Sequence, residues 1–253
     1  MKIGLCSVSF RKLGVDEIIS LAKKAKLDAI EWGADVHCPF KDLKLCQEIG
    51  EKTRANGLLT YSYGTYFRCK DVNEFKQISR AAKALKASII RVWAGEKWSN
   101  DFTKEEFVKM VDVLKKCADI AKDNNQTICF EYHHHTFNDY KESSLTLIKA
   151  VNKSNVKTYW QTQYWDDKAS KEDNHKHNLE SLNALKKYIV NFHVYNWIGY
   201  LDRYPLKGIK KEMKEYLSYA NKNSIAYLEF FKNDSTKQML EDAKTLKEII
   251  KGG

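Results

Sequence analysis

Three apolar runs in the chain each end on a side chain that can hold a metal ion or move a proton. They are Thr127-Ile128-Cys129-Phe130-Glu131, Val190-Asn191-Phe192-His193 and Ala226-Tyr227-Leu228-Glu229. A fourth, Val156-Lys157-Thr158-Tyr159-Trp160-Gln161, ends on a side-chain amide. A short, nearly continuous apolar run reads as a buried strand. A carboxylate or imidazole at the end of such a run is costly to bury without a partner. Two glutamates, a neutral histidine and an amide carry a summed charge that balances one divalent cation. Mixed oxygen and nitrogen donors suit Mn²⁺, Mg²⁺, Co²⁺ or Zn²⁺, with Mn²⁺ the first expectation. The expected metal set is therefore Glu131, Gln161, His193 and Glu229. Spacing alone leaves a second reading of Glu229 open, a buried ion pair with a lysine or arginine.

Glu131 opens the stretch Glu131-Tyr132-His133-His134-His135-Thr136. Strand side chains alternate faces, so Glu131 and His133 share one side. His133 is expected at the site; His134 and His135 are not counted as ligands. Other strand-like runs end on Glu31-Trp32, Tyr61-Ser62-Tyr63 and Arg91-Val92-Trp93, and Arg203 lies in the loop after the seventh run. Aromatic walls with a few hydrogen-bonding groups suit a sugar-like ligand. Each aromatic taken alone also fits plain core packing.

Widely separated strand ends can meet where parallel strands gather. The chain alternates strand-like runs (3–7, 28–33, 58–64, 88–94, 127–133, 156–161, 190–196, 225–231) with helical patterns. The latter lie near 15–26, 41–56, 71–86, 103–123, 143–153, 178–188, 209–222 and 235–250. Thr103 with Glu106 forms a capping box, Gly57 stands where a helix-terminating glycine belongs, and Ser235 or Asp234 can cap the last helix. Eight such units predict a (β/α)₈ TIM barrel whose strand C-termini form one active face. An open doubly wound sheet is the other arrangement of such units, and four ligand-bearing ends favour closure. The prediction is one domain over residues 1–253. Residues 162–177, polar and irregular, are expected to be a long active-site loop.

The chain has 253 residues and a formal net charge of +10. The lysines are spread over helical patterns rather than clustered in a stripe, so no nucleic-acid partner is expected. No run approaches the ~18 apolar residues of a membrane span. The chain starts directly in a strand-like run, and a cytoplasmic location is expected. Six scattered cysteines contain no Cys-x-x-Cys pair and read as free thiols. Dinucleotide, P-loop and serine-elbow motifs are absent, which disfavours those chemistries.

The ordered segments Glu31-Trp32-Gly33-Ala34-Asp35-Val36-His37-Cys38-Pro39, Tyr63-Gly64-Thr65-Tyr66-Phe67-Arg68 and Arg91-Val92-Trp93-Ala94-Gly95 resemble a known family. So do Glu131-Tyr132-His133, His193-Val194, Arg203-Tyr204-Pro205-Leu206 and Leu228-Glu229. It is the xylose isomerase-like TIM barrels, the sugar phosphate isomerases/epimerases. The resemblance spans nearly the whole chain and implies one divalent ion on Glu131, Gln161, His193 and Glu229. Gln161 stands where the family typically has aspartate, and Tyr164 where a histidine often follows. The two glutamates are then implied as catalytic, moving a proton alpha to a carbonyl. Glu31, His37, Trp93, His133, Tyr164 and Arg203 are implied around a sugar or sugar-derivative substrate. The expected activity is isomerase or epimerase. The alternatives are a lyase of the dehydroshikimate dehydratase type and a non-catalytic sugar-binding barrel without its metal. A DNA-repair phosphodiesterase would need more histidine and aspartate ligands than these strand ends supply. A homo-oligomer is left open.

Overall fold

In a computed structural model, which describes residues 1–163, 169–199 and 202–252, each of the eight apolar runs forms a strand. They are β1 (Lys2–Cys6), β2 (Ala29–Gly33), β3 (Ser62–Gly64), β4 (Ile89–Val92), β5 (Thr127–Phe130), β6 (Val156–Trp160), β7 (Ile189–Val194) and, after a small ribbon, β10 (Ile225–Leu228). All pair in parallel and close in the order β1-β10-β7-β6-β5-β4-β3-β2. The predicted (β/α)₈ barrel is the fold.

Between the strands run α1 (Val15–Lys24), α2 (Leu43–Ala55), α3 (Val72–Leu85), α4 (Lys104–Asp123), α5 (Lys141–Val151), α6 (Lys171–Leu185), α7 (Lys210–Leu217) and α8 (Thr236–Lys251). Their ends follow local chemistry. Thr103 accepts from the Glu106 N–H while the Glu106 side chain takes the Thr103 N–H, closing the capping box of α4. Ser235 caps α8 through the Gln238 N–H. Gly57, beyond the end of α2, has φ +77°, a left-handed conformation that glycine adopts without steric cost. Among the described residues no helix is long and apolar enough to cross a membrane.

Two local features differ from expectation. Residues 171–177 are the start of α6 rather than loop. Ser170 accepts from the Asp173 N–H, and Glu172 and Asp173 favour the helix N-terminus electrostatically. The polar surface of this helix masked the periodicity that marks the others. After β7 comes an antiparallel ribbon, β8 (Trp197–Ile198) with β9 (Asp202–Arg203), too short to leave an alternating pattern.

One large apolar cluster fills the layer between helices and outward strand faces. A smaller one joins Cys6, Val8, Ala29, Cys129, Tyr159, Ile225 and Tyr227. Cys6, Ala29, Cys129, Tyr159 and Tyr227 belong to five different strands. Ala29, Cys129, Tyr159 and Tyr227 each stand two residues before a polar side chain: Glu31, Glu131, Gln161 and Glu229. Period-two alternation therefore carries these four polar groups to the same inner face, one layer nearer the C-terminal mouth. All six cysteines are free thiols.

Candidate active site

His193 is the hub. It lies in β7, fully buried, with both ring nitrogens facing polar groups. Nδ1 is 2.8 Å from Glu229 Oε2, 3.0 Å from Gln161 Oε1 and 3.5 Å from Glu131 Oε1. Nε2 is 3.3 Å from Glu31 Oε1. The four expected metal residues thus converge at the barrel mouth from β5, β6, β7 and β10. Burial works against the imidazolium. The carboxylate of Glu229, with the Cys6 and Glu131 side chains, overrides it and holds the His193 pKa well above its ordinary value.

Glu131 sits 3% exposed, just past β5. Its Oε2 accepts from Arg91 and, at 2.6 Å, from the indole N–H of Trp93. Its backbone carbonyl accepts from Asn138 Nδ2 at 2.9 Å, which fixes the chain beyond β5. Burial opposes ionisation here. Arg91 and then His193 more than offset it, so the carboxyl lies well below the usual range. Glu229 is 4% exposed, and His193 is its ion-pair partner.

Below this group Glu31 accepts from Ser62, from Arg91 Nε at 3.1 Å and, at 3.7 Å, from the Cys6 thiol. Burial raises its pKa, but Arg91 and His193 bring it to about 2. Arg91, 1% exposed on β4, therefore bridges two buried carboxylates. Room for it comes from Gly64 on the neighbouring strand. A Cβ at Gly64 would stand 2.6 Å from Arg91 Nη2 and 2.9 Å from Glu31 Oε1.

The remaining expected residues spread around this centre. His133 lines the mouth cavity, its ring stacked on Trp93 at 4.4 Å between centroids. His133 Nδ1 donates to the His134 carbonyl at 2.6 Å, which leaves Nε2 as the basic nitrogen in the neutral ring. Arg68 covers the Trp93 ring at 4.0 Å. Glu31 touches His193 rather than lining the mouth cavity. His37 bonds the Leu13 carbonyl at 3.0 Å and meets the edge of Trp32, away from the cluster's contacts. Arg203, on β9, pairs with Asp234 and covers Trp197 and Phe230 at 5.2 and 4.5 Å. Tyr164 lies outside the described residues.

Arg91, Ser62, Asn138, Gln163 and Trp197 are not among the individually named site residues, although Ser62 and Arg91 stand in strand-ending segments and Gln163 in the expected loop. Arg91 carried a signal: it interrupts the apolar run Ile89-Ile90-Arg91-Val92 in phase with Trp93. Asn138 and Gln163 lie in loops, where no periodicity exposes them.

The cluster also answers whether a metal ion fits. One oxygen each from Glu131 and Glu229 and one His193 nitrogen lie within 4.8 Å of one another, all buried. Together with Gln161, three oxygens face a single nitrogen, and one N–H cannot satisfy all three. A cation among them would meet every donor, and two carboxylates, an imidazole and an amide are acceptable ligands for a divalent ion.

Fold and site together define a (β/α)₈ barrel with a divalent-cation-type donor set at the C-terminal mouth of its strands. The chain belongs to the xylose isomerase-like TIM barrel family, whose model matches residues 19–249. A 3-dehydroshikimate dehydratase of Bacillus anthracis is 26% identical over 215 residues, 78% of this chain and 72% of that protein. The crystal structure of the probable 3-DHS dehydratase involved in petrobactin synthesis from that organism superposes with a TM-score of 0.81. Its identity is 20%, covering 98% of this chain and 99% of that one. A D-psicose 3-epimerase crystallised with D-fructose gives a TM-score of 0.73 at 16% identity, over the full length of both chains. A family barrel from Mycobacterium smegmatis in complex with magnesium gives 0.74 at 13% identity, covering 99% of this chain and 97% of that one. At these identities the structural likenesses speak to the fold. The relatives named for an activity are dehydratases of 3-dehydroshikimate and an epimerase of D-psicose.

Proposed function

We propose that this protein is a metal-assisted lyase that removes water from a small hydroxylated carbonyl compound of the 3-dehydroshikimate type. The reaction begins by taking a proton alpha to the carbonyl. The observation that carries this reading is the unequal setting of the two glutamates. Arg91 and Trp93 both occupy Oε2 of Glu131, whereas among the described residues Glu229 pairs with His193 alone. A carboxylate oxygen already accepting two hydrogen bonds, one charged, is a poor base. Two unlike proton carriers then remain at the mouth, the Glu229 carboxylate and His133 Nε2. Elimination balances with such a pair: Glu229 takes the alpha proton, and His133, entering with a proton on Nε2, gives it to the departing hydroxyl, which leaves as water; passing the Glu229 proton back to His133 resets the pair.

Glu131, Gln161, His193 and Glu229 would hold the cation, with Mn²⁺ tested first and Mg²⁺, Co²⁺ and Zn²⁺ after it. When bound, a divalent ion supplies Lewis acidity toward the carbonyl oxygen. Trp93 holds one oxygen of Glu131, and Glu31 orients the His193 ring from below. Trp93 and His133 form one stacked wall of the mouth. The sequence relationship to a 3-dehydroshikimate dehydratase supports the same reading.

A second reading is epimerisation or isomerisation, in which Glu131 and Glu229 exchange the proton. The approach of both carboxylates to one His193 nitrogen favours it. The experiment is incubation with 3-dehydroshikimate and with ketoses in deuterated water, with each divalent ion added in turn. Loss of 18 mass units from the acid supports the lyase. Deuterium entering a ketose without loss of mass from either compound supports the second reading and overturns the first.

A further inference from the structure

The cavity at the mouth is lined by Glu131, Gln161 and Glu229, and also by Gln163 and Trp197. The last two contribute what the carboxylates cannot, hydrogen-bond donors. Gln163 Nε2 and Trp197 Nε1 are both buried, and neither has a hydrogen-bond partner among the described residues. Gln163 is only 6% exposed. Buried N–H groups without acceptors are uncommon, and an orphan of this kind calls for an explanation. Two of them on one small cavity, beside the reactive groups, point to an occupant.

Both donors are held in place. The Gln163 backbone N–H donates to Asn178 Oδ1 at 3.1 Å, fixing the chain just after β6. Trp197 stands on the β8–β9 ribbon, paired with Arg203 across the two strands. Its ring packs against Tyr195 and Phe230 at 5.1 and 5.4 Å. The Arg203 guanidinium lies 5.2 Å from the same ring, and a cation on an indole face polarises it and strengthens its N–H as a donor.

We propose that Gln163 Nε2 and Trp197 Nε1 form a subsite for a carboxylate of the substrate. An indole N–H donates only, and so does the amide nitrogen of glutamine. A carboxylate offers two acceptor oxygens and no proton of its own, so it matches two donors without leaving a hydrogen unplaced. A neutral hydroxyl would have to find a further acceptor for its own proton. An anion is tolerated near Glu131 because Arg91 already pairs with that carboxylate. A site built from such donors rejects analogues that lack the acceptor, because its buried N–H groups are then left unmet. The inference rests on the proposed function for the carbonyl chemistry and adds which side chains would hold the carboxylate of that substrate.

Calorimetric titration of the cation-loaded protein tests it without turnover. The probes are shikimate, its methyl ester and D-fructose. Wild type is expected to bind the acid and to bind the ester and the ketose at least tenfold more weakly. Trp197→Phe keeps the ring packing and Gln163→Met the side-chain length. Each should weaken the acid about tenfold, the effect of one lost hydrogen bond to a charged group. Cation affinity and melting temperature should stay as in wild type. Equal binding of acid and ester by wild type overturns the subsite, as does no binding of the acid or unchanged affinity in both variants. The wild-type comparison stands even if a variant fails to fold. Deuterium exchange into a neutral ketose without acid binding would sink the subsite and spare proton-transfer chemistry. Acid binding weakened by both variants, with no carbonyl compound turned over, would keep the subsite and sink the proposed reaction.

Discussion

Glu31 and His193 are joined across the barrel interior, with Nε2 of the imidazole 3.3 Å from Oε1 of the carboxylate. The contact turns the other ring nitrogen toward Gln161, Glu131 and Glu229. An imidazole that donates one N–H to a carboxylate presents a fixed, more basic lone pair on its other nitrogen. Glu31→Gln is therefore expected to weaken divalent-cation binding by about 10–100-fold. Titration of Mn²⁺ followed by electron paramagnetic resonance reads this directly, and equal affinities would remove Glu31 from the cation's support.

Gln161 brings an amide to a place that could carry charge. Its Oε1 lies 3.0 Å from His193 Nδ1, so Gln161→Asp would put a third carboxylate around the same point. Cation affinity should rise, since Coulombic attraction grows with ligand charge. The same titration checks it; an unchanged affinity means that residue 161 does not face the ion. Catalysis need not improve, because a more negative donor set makes the ion a weaker Lewis acid.

The two proton carriers of the proposed reaction, Glu229 and His133, are each open to substitution. Glu229→Gln removes a proton carrier and is expected to lower turnover by about 10²–10⁴-fold. His133→Asn tests the other carrier and should fall in the same range with the cation still bound. Steady-state rates beside metal content by elemental analysis separate the two effects. A full rate in either variant excludes that residue from proton transfer.

Arg91 has two buried carboxylate partners, Glu31 and Glu131. Arg91→Met leaves both without their counter-charge, and breaking a buried pair from one side costs about 3–5 kcal/mol. Urea denaturation in the absence of divalent ions should show a loss of that order. A loss below about 1 kcal/mol, the scale of a surface pair, would mean that the carboxylates find other compensation.

Asp242, on α8 and outside the carboxylate–imidazole cluster, offers a pH test of stability. Burial raises its pKa to about 6, although the Leu206 N–H and the Gln238 amide both donate to it. The folded state then holds a proton that the unfolded chain has already released, so stability falls as pH rises from about 4 to about 6. Asp242→Asn should remove that dependence. It is expected to stabilise the protein by roughly 1–3 kcal/mol at pH 8 and to change little at pH 4. Denaturation midpoints at the two pH values decide; a variant less stable at pH 8 contradicts the expectation.

Much of the architecture was written in local pattern. Apolar runs gave the eight strands, and capping residues such as Thr103 and Ser235 gave helix ends, because both depend on neighbours within a turn or two. Period-two alternation carried Glu131, Gln161 and Glu229 to one inner face, so most of the expected metal set could be named from strand ends alone. What the sequence did not decide was which groups would meet across the ring. Arg91 lies 60 residues from Glu31 and 40 from Glu131, and Glu31 lies 162 from His193. Arg91 reaches both glutamates because β2, β3, β4 and β5 lie side by side, Glu31 reaches His193 only because β1 closes onto β10, and the missing side chain of Gly64 leaves Arg91 its space. The same closure sets Glu31 against Nε2 of His193. It also left the side-chain N–H groups of Gln163 and Trp197 buried with no acceptor among the described residues, since a side chain's partners are set by packing, which no local pattern records.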